Sequence, residues 1–315
     1  MTVSHEAGPP LVPPSRLGAF VRRNPIALKE LRGRMRGPRA FIVLTAYAAL
    51  MSLFVVILYL IYTVSSTITP DTGGVIGKLI FGGVFATELF MVCFIAPAFT
   101  TGAISGERER RTFNLLRSTL LSARRLVLGK LISALAYIVL LLMVAIPLQS
   151  LAFLMGGITP AEVLISVELL LATALGYSAL GLFLSATTRR TLSATVLTYT
   201  IVLLATIALP FVALMMVSLL IPLNVTTTSR PEVEALLIYL FGLLISTSPV
   251  ATAIATEVVL QQKGTVFFFT ETLSNGGNIP LISPWIVYTV LLLMMTAMLL
   301  LWTVRLVRRM EADTP

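Results

Sequence analysis

Histidine and cysteine are almost missing from this chain. The only histidine, His5, stands in a proline-rich stretch with Pro9, Pro10, Pro13 and Pro14, and the only cysteine, Cys93, stands inside an apolar run. One thiol closes no intrachain disulfide. With so few such groups there is no histidine-based metal site and no nucleophilic triad, which disfavours an intramembrane enzyme. Cys93 itself reads as a small buried hydrophobe. Charge is scarce as well: 12% of the 315 residues are charged, where a soluble domain carries about 25%. Nor is there a nucleotide-binding phosphate loop. Gly77-Lys78 and Gly129-Lys130 are the only Gly-Lys pairs, Thr72 and Arg124 stand where such a loop has its first glycine, and Leu79 and Leu131 replace its Ser or Thr.

What fills the chain instead is apolar. Apolar residues make up 57% of it and the mean hydropathy is +0.95. Several runs exceed the roughly 18 residues that mark a bilayer-crossing helix. The expected fold is therefore an all-α polytopic membrane protein with six transmembrane helices at about 41–64, 77–101, 126–155, 163–186, 192–220 and 284–307. Residues 1–24 read as a flexible tail rather than a signal peptide, because no short apolar core with a cleavage site precedes the charges. Residues 25–40 read as an amphipathic helix on the membrane surface, opened by Asn24-Pro25. Leu28, Leu31 and Met35 form its stripe, and Lys29, Arg32, Arg34, Arg36 and Arg39 snorkel to the lipid headgroups. Pro147 and Pro210 are expected to kink their spans, and Gly77, Gly82, Gly83 and Ala86 to allow close helix approach.

The net charge is +9. In a soluble protein that would point to nucleic acid, but here 20 of the 23 basic residues sit beside apolar runs, in segments that fall on one side of the membrane. The positive-inside rule makes that side cytoplasmic, with both termini on it and residues 308–315 as a tail. The apolar stretch 235–258 is the exception to simple crossing. Its two flanks are both slightly acidic, a crossing would put Arg305, Arg308 and Arg309 outside, and Ser246-Thr247-Ser248-Pro249 breaks its middle. It is expected to be a re-entrant pair of half-helices entered from outside, with 260–283 as an outer loop.

Between spans two and three lies a dense charged block from Ser105 to Lys130. Ser105 is placed to cap a helix, with Glu107 and Glu109 in its first turns, where the helix dipole favours anions. Phe113, Leu116 and Leu120 share one face, so the block reads as a short amphipathic helix near the membrane plane. Its bland alternative is a basic loop that only sets topology. Glu107, Glu109, Thr112, Leu115, Leu116, Ser118, Thr119, Arg124, Arg125, Gly129 and Lys130 keep the spacing of the coupling-helix region of ABC-type-2 export permeases, and the block resembles it. Arg111 stands where many members have Gly, and Leu120 where many have Pro. The run from Asn24 to Arg36 also resembles the amino-terminal elbow of that family.

The resemblance implies a permease subunit that is not itself an enzyme. It would work with a separate ABC ATPase subunit that binds ATP and Mg, and with a second permease copy (identical or related), in the plasma (inner) membrane. Glu107, Arg108, Glu109, Arg111, Thr112, Leu115 and Leu116 would then couple the spans to the ATPase for export. An outer re-entrant hairpin before the last span belongs to the same family pattern. Glu88 is the one clear ionisable group deep in a span. It is expected either on a pathway or in an interhelical hydrogen bond to Ser or Tyr. An ion-coupled secondary transporter or channel using Glu88 is the alternative function, and a relay that binds an ATPase without moving cargo is a further one. Glu168, nearer a span end, is expected to reach water.

Overall fold

The computed structural model describes residues 38–65, 72–111, 122–220, 231–273 and 275–312. Ten helices and a two-stranded hairpin are described. Helix α1 runs Pro38–Ser65 and α2 Thr72–Ala98. The short α3 spans Ser105–Glu109, followed by α4, Ala123–Met155, and α5, Pro160–Thr187. Helix α6, Thr191–Leu203, passes through a π-helical turn at Leu204–Ala208 into α7, Leu209–Leu220. Helices α8, Pro231–Ile245, and α9, Pro249–Lys263, precede strands β1, Phe268–Thr272, and β2, Asn278–Ile282, and α10, Pro284–Ala312, closes the chain. Six helical stretches are long and apolar enough to cross a membrane: α1, α2, α4, α5, the continuous α6–α7 unit, and α10. This is an all-α polytopic membrane protein.

Because successive spans are antiparallel, the bundle has two ends of different composition. One, the basic end, gathers the close of α2, all of α3, the start of α4, the α5–α6 turn and the close of α10. The other, the hairpin end, holds the starts of α2, α5 and α10 and the antiparallel hairpin, in which Phe268 faces Ile282 and Thr272 faces Asn278.

Helix α5 is the central post. Its crossing window is 67% buried, against 17% for α1 and for the α6–α7 unit. The main core joins Leu89, Val92, Cys93 and Ala96 of α2 to Leu170, Ala174, Tyr177, Leu180 and Leu184 of α5, with Ile138, Val202 and Leu299 from three further helices. Helix α5 starts sharply because Thr159 and Glu162 form a reciprocal capping box and Pro160 opens the first turn. At the hairpin end a side chain at Gly157, whose φ is +80°, would lie 2.2 Å from the Gly74 carbonyl oxygen, so the α4–α5 turn passes directly over the start of α2.

Several sequence expectations need correction. Ser105 does not cap α3: Ile104 precedes the helix without a side-chain cap, and the Ser105 hydroxyl donates back to the Thr101 carbonyl. The fifth span is interrupted by the π turn at 204–208, upstream of Pro210. Of the glycines expected at close helix contacts, Gly77 and Gly83 make them, but a side chain at Gly82 would meet no atom within 4 Å. Residues 268–282 of the expected loop form the hairpin. Pro38, Arg39 and Ala40, expected to end the surface helix, begin α1 instead, and α10 continues through Arg308 and Arg309. Lys29, Arg32, Arg34 and Arg36 lie outside the described residues, as do the side chain of Arg39 and the amphipathic stretch after Arg111.

Helices α8 and α9 have 15 residues each, about 22 Å, less than the roughly 30 Å hydrocarbon core of a bilayer. They meet at Ser246–Ser248, whose polar groups are satisfied by protein. Ser246 donates to the Gly242 carbonyl, the Thr252 hydroxyl to the Ile245 carbonyl, and the Ser248 hydroxyl to the Thr206 carbonyl in the π turn. Ser248 also caps α9 by accepting from the Ala251 amide.

Candidate functional site

At the basic end, α3 is fastened to the turn between α5 and α6. The Ser185 hydroxyl, fully buried, accepts from the backbone amides of Ile104 at 2.9 Å and Ser105 at 3.0 Å. Since the Ser105 hydroxyl proton goes to Thr101, the 3.2 Å contact between the two serines runs from Ser185 to Ser105. One hydroxyl thus satisfies two amides that precede the α3 ladder and spends its own proton on the same segment.

Glu109 closes a second fastening. Its carboxylate accepts from the Thr191 amide at 2.9 Å and from the Thr191 hydroxyl, so it supplies the N-terminal cap that α6 lacks in its own sequence. These two Thr191 bonds hold the Glu109 carboxyl below its ordinary value, with Arg190 and Arg110 adding to the effect. Arg108 donates to the Thr188 carbonyl at 3.3 Å and lies against the Met310 sulfur of α10. Burial lowers its guanidinium from the ordinary value, and Arg189 lowers it further; it remains charged at neutral pH. Glu107 approaches Lys130 of α4 at 3.7 Å, and Thr195 donates to Thr101. Arg110 and Arg111 are exposed, and Arg111, with φ of +58°, ends the helical path. The predicted site residues Glu107, Arg108, Glu109 and Arg111 are therefore together at one end of the bundle, while Thr112, Leu115 and Leu116 lie outside the described residues.

Deeper in the bundle, Glu88 is 1% exposed and accepts from Gln149 of α4 at 2.6 Å. Its partner is an amide rather than the expected Ser or Tyr. The cavity beside it, lined by Tyr47, Ile138 and Leu141 among others, is about 10 Å³, room for one water at most. Glu168 also departs from expectation. It accepts from Thr289 of α10 at 2.7 Å, and its Oε2 is buried without a partner among the described residues.

The hairpin end holds a group that sequence reading missed. Lys78 of α2 lies 2.9 Å from Glu257 of α9 and 3.3 Å from Glu162 of α5, tying three elements together. A signal was available. Lys78, Arg230 and Lys263 are the three basic residues outside the one-sided set, and two of them find acidic partners at this end, Lys263 pairing with Glu271 at 3.4 Å. Lys78, Glu162 and Glu257 line a cavity of about 1060 Å³. No cluster of three metal-ligating side chains occurs among the described residues.

No curated protein matches the chain. A family model does, over residues 24–310, and its description is ABC-2 family transporter protein. With six apolar crossing helices and the charged block placed beside the α5–α6 turn, the chain belongs to the ABC-2 family of transporter proteins as a transmembrane permease, a family that implies partnership with an ABC ATPase.

Proposed function

We propose that the chain is the permease subunit of an ABC exporter, driven by a separate ATPase subunit that binds and hydrolyses ATP with Mg. The ATPase docks at the exposed Arg110 and Arg111, with Thr112, Leu115 and Leu116 as further docking residues, and a second permease copy completes the pathway. The protein sits in the plasma (inner) membrane with the basic end and both termini cytoplasmic, since basic residues concentrate at that end. The stretch 25–37, ahead of α1, is assigned as its surface elbow. Helices α8 and α9 form the outer re-entrant hairpin; their length, and the protein partners of the break between them, support that reading.

The observation that carries the mechanism is the pair of fastenings on α3. A push on the docking segment reaches α5 through Ser185 and α6 through Glu109 and Thr191. Both helices are displaced together, without a flexible joint at those contacts. Glu109 is in this scheme a positioning residue that transmits the push.

The test is co-purification of the tagged permease in mild detergent, with ATPase activity assayed on the eluate. The exposed pair Arg110→Glu and Arg111→Glu is expected to lose the ATPase while the permease still inserts and keeps its unfolding temperature. Full association and transport in that double variant would remove the docking assignment.

A further inference from the structure

The cavity at the hairpin end lies between α2, α5 and α9, with Leu58 of α1 and Thr206 of the π turn on its walls. Most of its lining is apolar, including Leu79, Ala86, Leu169, Ala253 and Leu260. At about 1060 Å³ it matches the upper end of small-molecule sites, roughly 300–1,000 Å³. Gly82 keeps part of it open, since a side chain there would meet no atom within 4 Å.

Its charged groups are gathered together and are unequal in sign. Lys78, Glu162, Glu257 and Gln261 all line it, one cation against two carboxylates. The Lys78 ammonium is already shared between both carboxylates, so it is a poor receptor for an anion. Glu162 is further spent on the Thr159 amide. Glu257 accepts Lys78 and Gln261 on the same oxygen, Oε1, and its other oxygen has no partner among the described residues. Its side chain is 37% exposed and lines the cavity. Beside it Thr256, also lining the cavity, is 2% exposed with a hydroxyl that has no partner among the described residues. An apolar cleft with one excess negative charge in its lining is complementary to one kind of small molecule.

We propose that this cavity binds an amphiphile with a cationic head, its hydrocarbon body between α2, α5 and α9 and its ammonium at Glu257. The proposal concerns binding at a site away from the docking segment, and it stands or falls independently of the ATPase association.

The chain carries its own reporter. Trp285 packs in one apolar cluster with Leu260, and Trp302 is the only other tryptophan. In the Trp302→Phe background, purified in dodecyl maltoside, a hexadecyltrimethylammonium brominated along its chain is titrated against Trp285 fluorescence. The alkyl sulfate and the alcohol of equal chain length, brominated alike, are run in parallel. Saturable quenching by the ammonium is expected, with Kd raised at least tenfold by Glu257→Gln and largely kept by Glu257→Asp. Gly82→Phe, which fills open space, is expected to abolish saturation while leaving the unfolding temperature intact. Equal quenching by the sulfate, or an ammonium titration unchanged in both Glu257→Gln and Gly82→Phe, overturns the proposal. Loss of binding with normal ATPase co-purification separates its failure from that of the permease mechanism.

Discussion

At the basic end, α3 is fastened to α5 and α6 by a buried hydroxyl and a carboxylate that each take backbone amides. At the hairpin end, α2, α5 and α9 are joined by full charges that line a cavity. The first arrangement is directional, and its Ser185 half is fully buried. The second is half-exposed and over-supplied with negative charge, so its partners can be exchanged for an incoming cation. One end holds geometry and the other can accommodate a change of occupant. That division suits a machine that receives force at one end and handles ligand at the other.

The comparison is broken most severely by Ser185→Ala. It orphans the Ile104 and Ser105 amides, each costing roughly 1–3 kcal/mol when buried. The unfolding temperature of the purified protein should fall more for this variant than for any other discussed. An unchanged value would mean that the basic end is not held as described.

Next in size is Gly77→Ala at the hairpin end. Its new methyl would sit 2.3 Å from the Gly156 carbonyl oxygen and 2.7 Å from that of Ala152, both backbone atoms that cannot swing aside. Overpacking of this kind costs about 1–3 kcal/mol, and its expected sign is a thermal shift downward without loss of membrane insertion.

Lys78→Met should do less. It removes the cation from Glu162, whose side chain is 7% exposed, but the capping box still supplies that carboxylate with an amide. The Lys78–Glu257 contact is exposed enough to be screened, so about 1 kcal/mol is the ceiling for it. The sharper readout is salt. Raising ionic strength should lower the stability of the parent protein and leave Lys78→Met nearly flat, while Ser185→Ala keeps the parent's salt slope.

The smallest effect is expected from Glu109, which is fully exposed. Its folded value is depressed below the ordinary 4.5 by the Thr191 bonds. A depressed carboxylate contributes its full share above the unfolded value and loses it as pH falls through the folded one. The Thr191 contact should therefore persist at neutral pH and loosen only below about 4.5. Hydrogen exchange at the Thr191 amide is the measurement. Glu109→Ala, which removes the acceptor, should expose that amide at all pH values with little change in global unfolding.

Spans were legible in the sequence because an unbroken apolar run has few other fates, and the break at Ser246–Pro249 was legible from its residue types. Contacts between distant segments were not. Nothing local in Glu109 says that it will cap a helix starting at Thr191, and nothing in Gln149 announces Glu88 across 61 positions. Glu168 looked solvated because its depth along the sequence ignores that α10 packs on α5 there. Strand β1 was hidden by polar residues on both faces and β2 by Pro280 at its centre, with Asn275-Gly276-Gly277 as the one turn signal. Lys78 was the most recoverable miss: a cation on the wrong side of a one-sided charge pattern needs a reason, and the reason was a pair of carboxylates.

The π turn at Leu204–Ala208 has a mechanical consequence. An α-helix advances about 100° per residue, and a π bulge inserts one residue into a turn. The α7 half is thereby rotated out of phase with the α6 half. Regular α-helix runs from Thr191 to Leu203, where the rod changes its winding. Beyond that point Thr206 bonds both to Val202 within the helix and to Tyr177 of α5, while its carbonyl receives Ser248. A twist entering α6 from the α3 side would therefore meet, at the π turn, bonds to α5 and to the break between α8 and α9 before it reached α7.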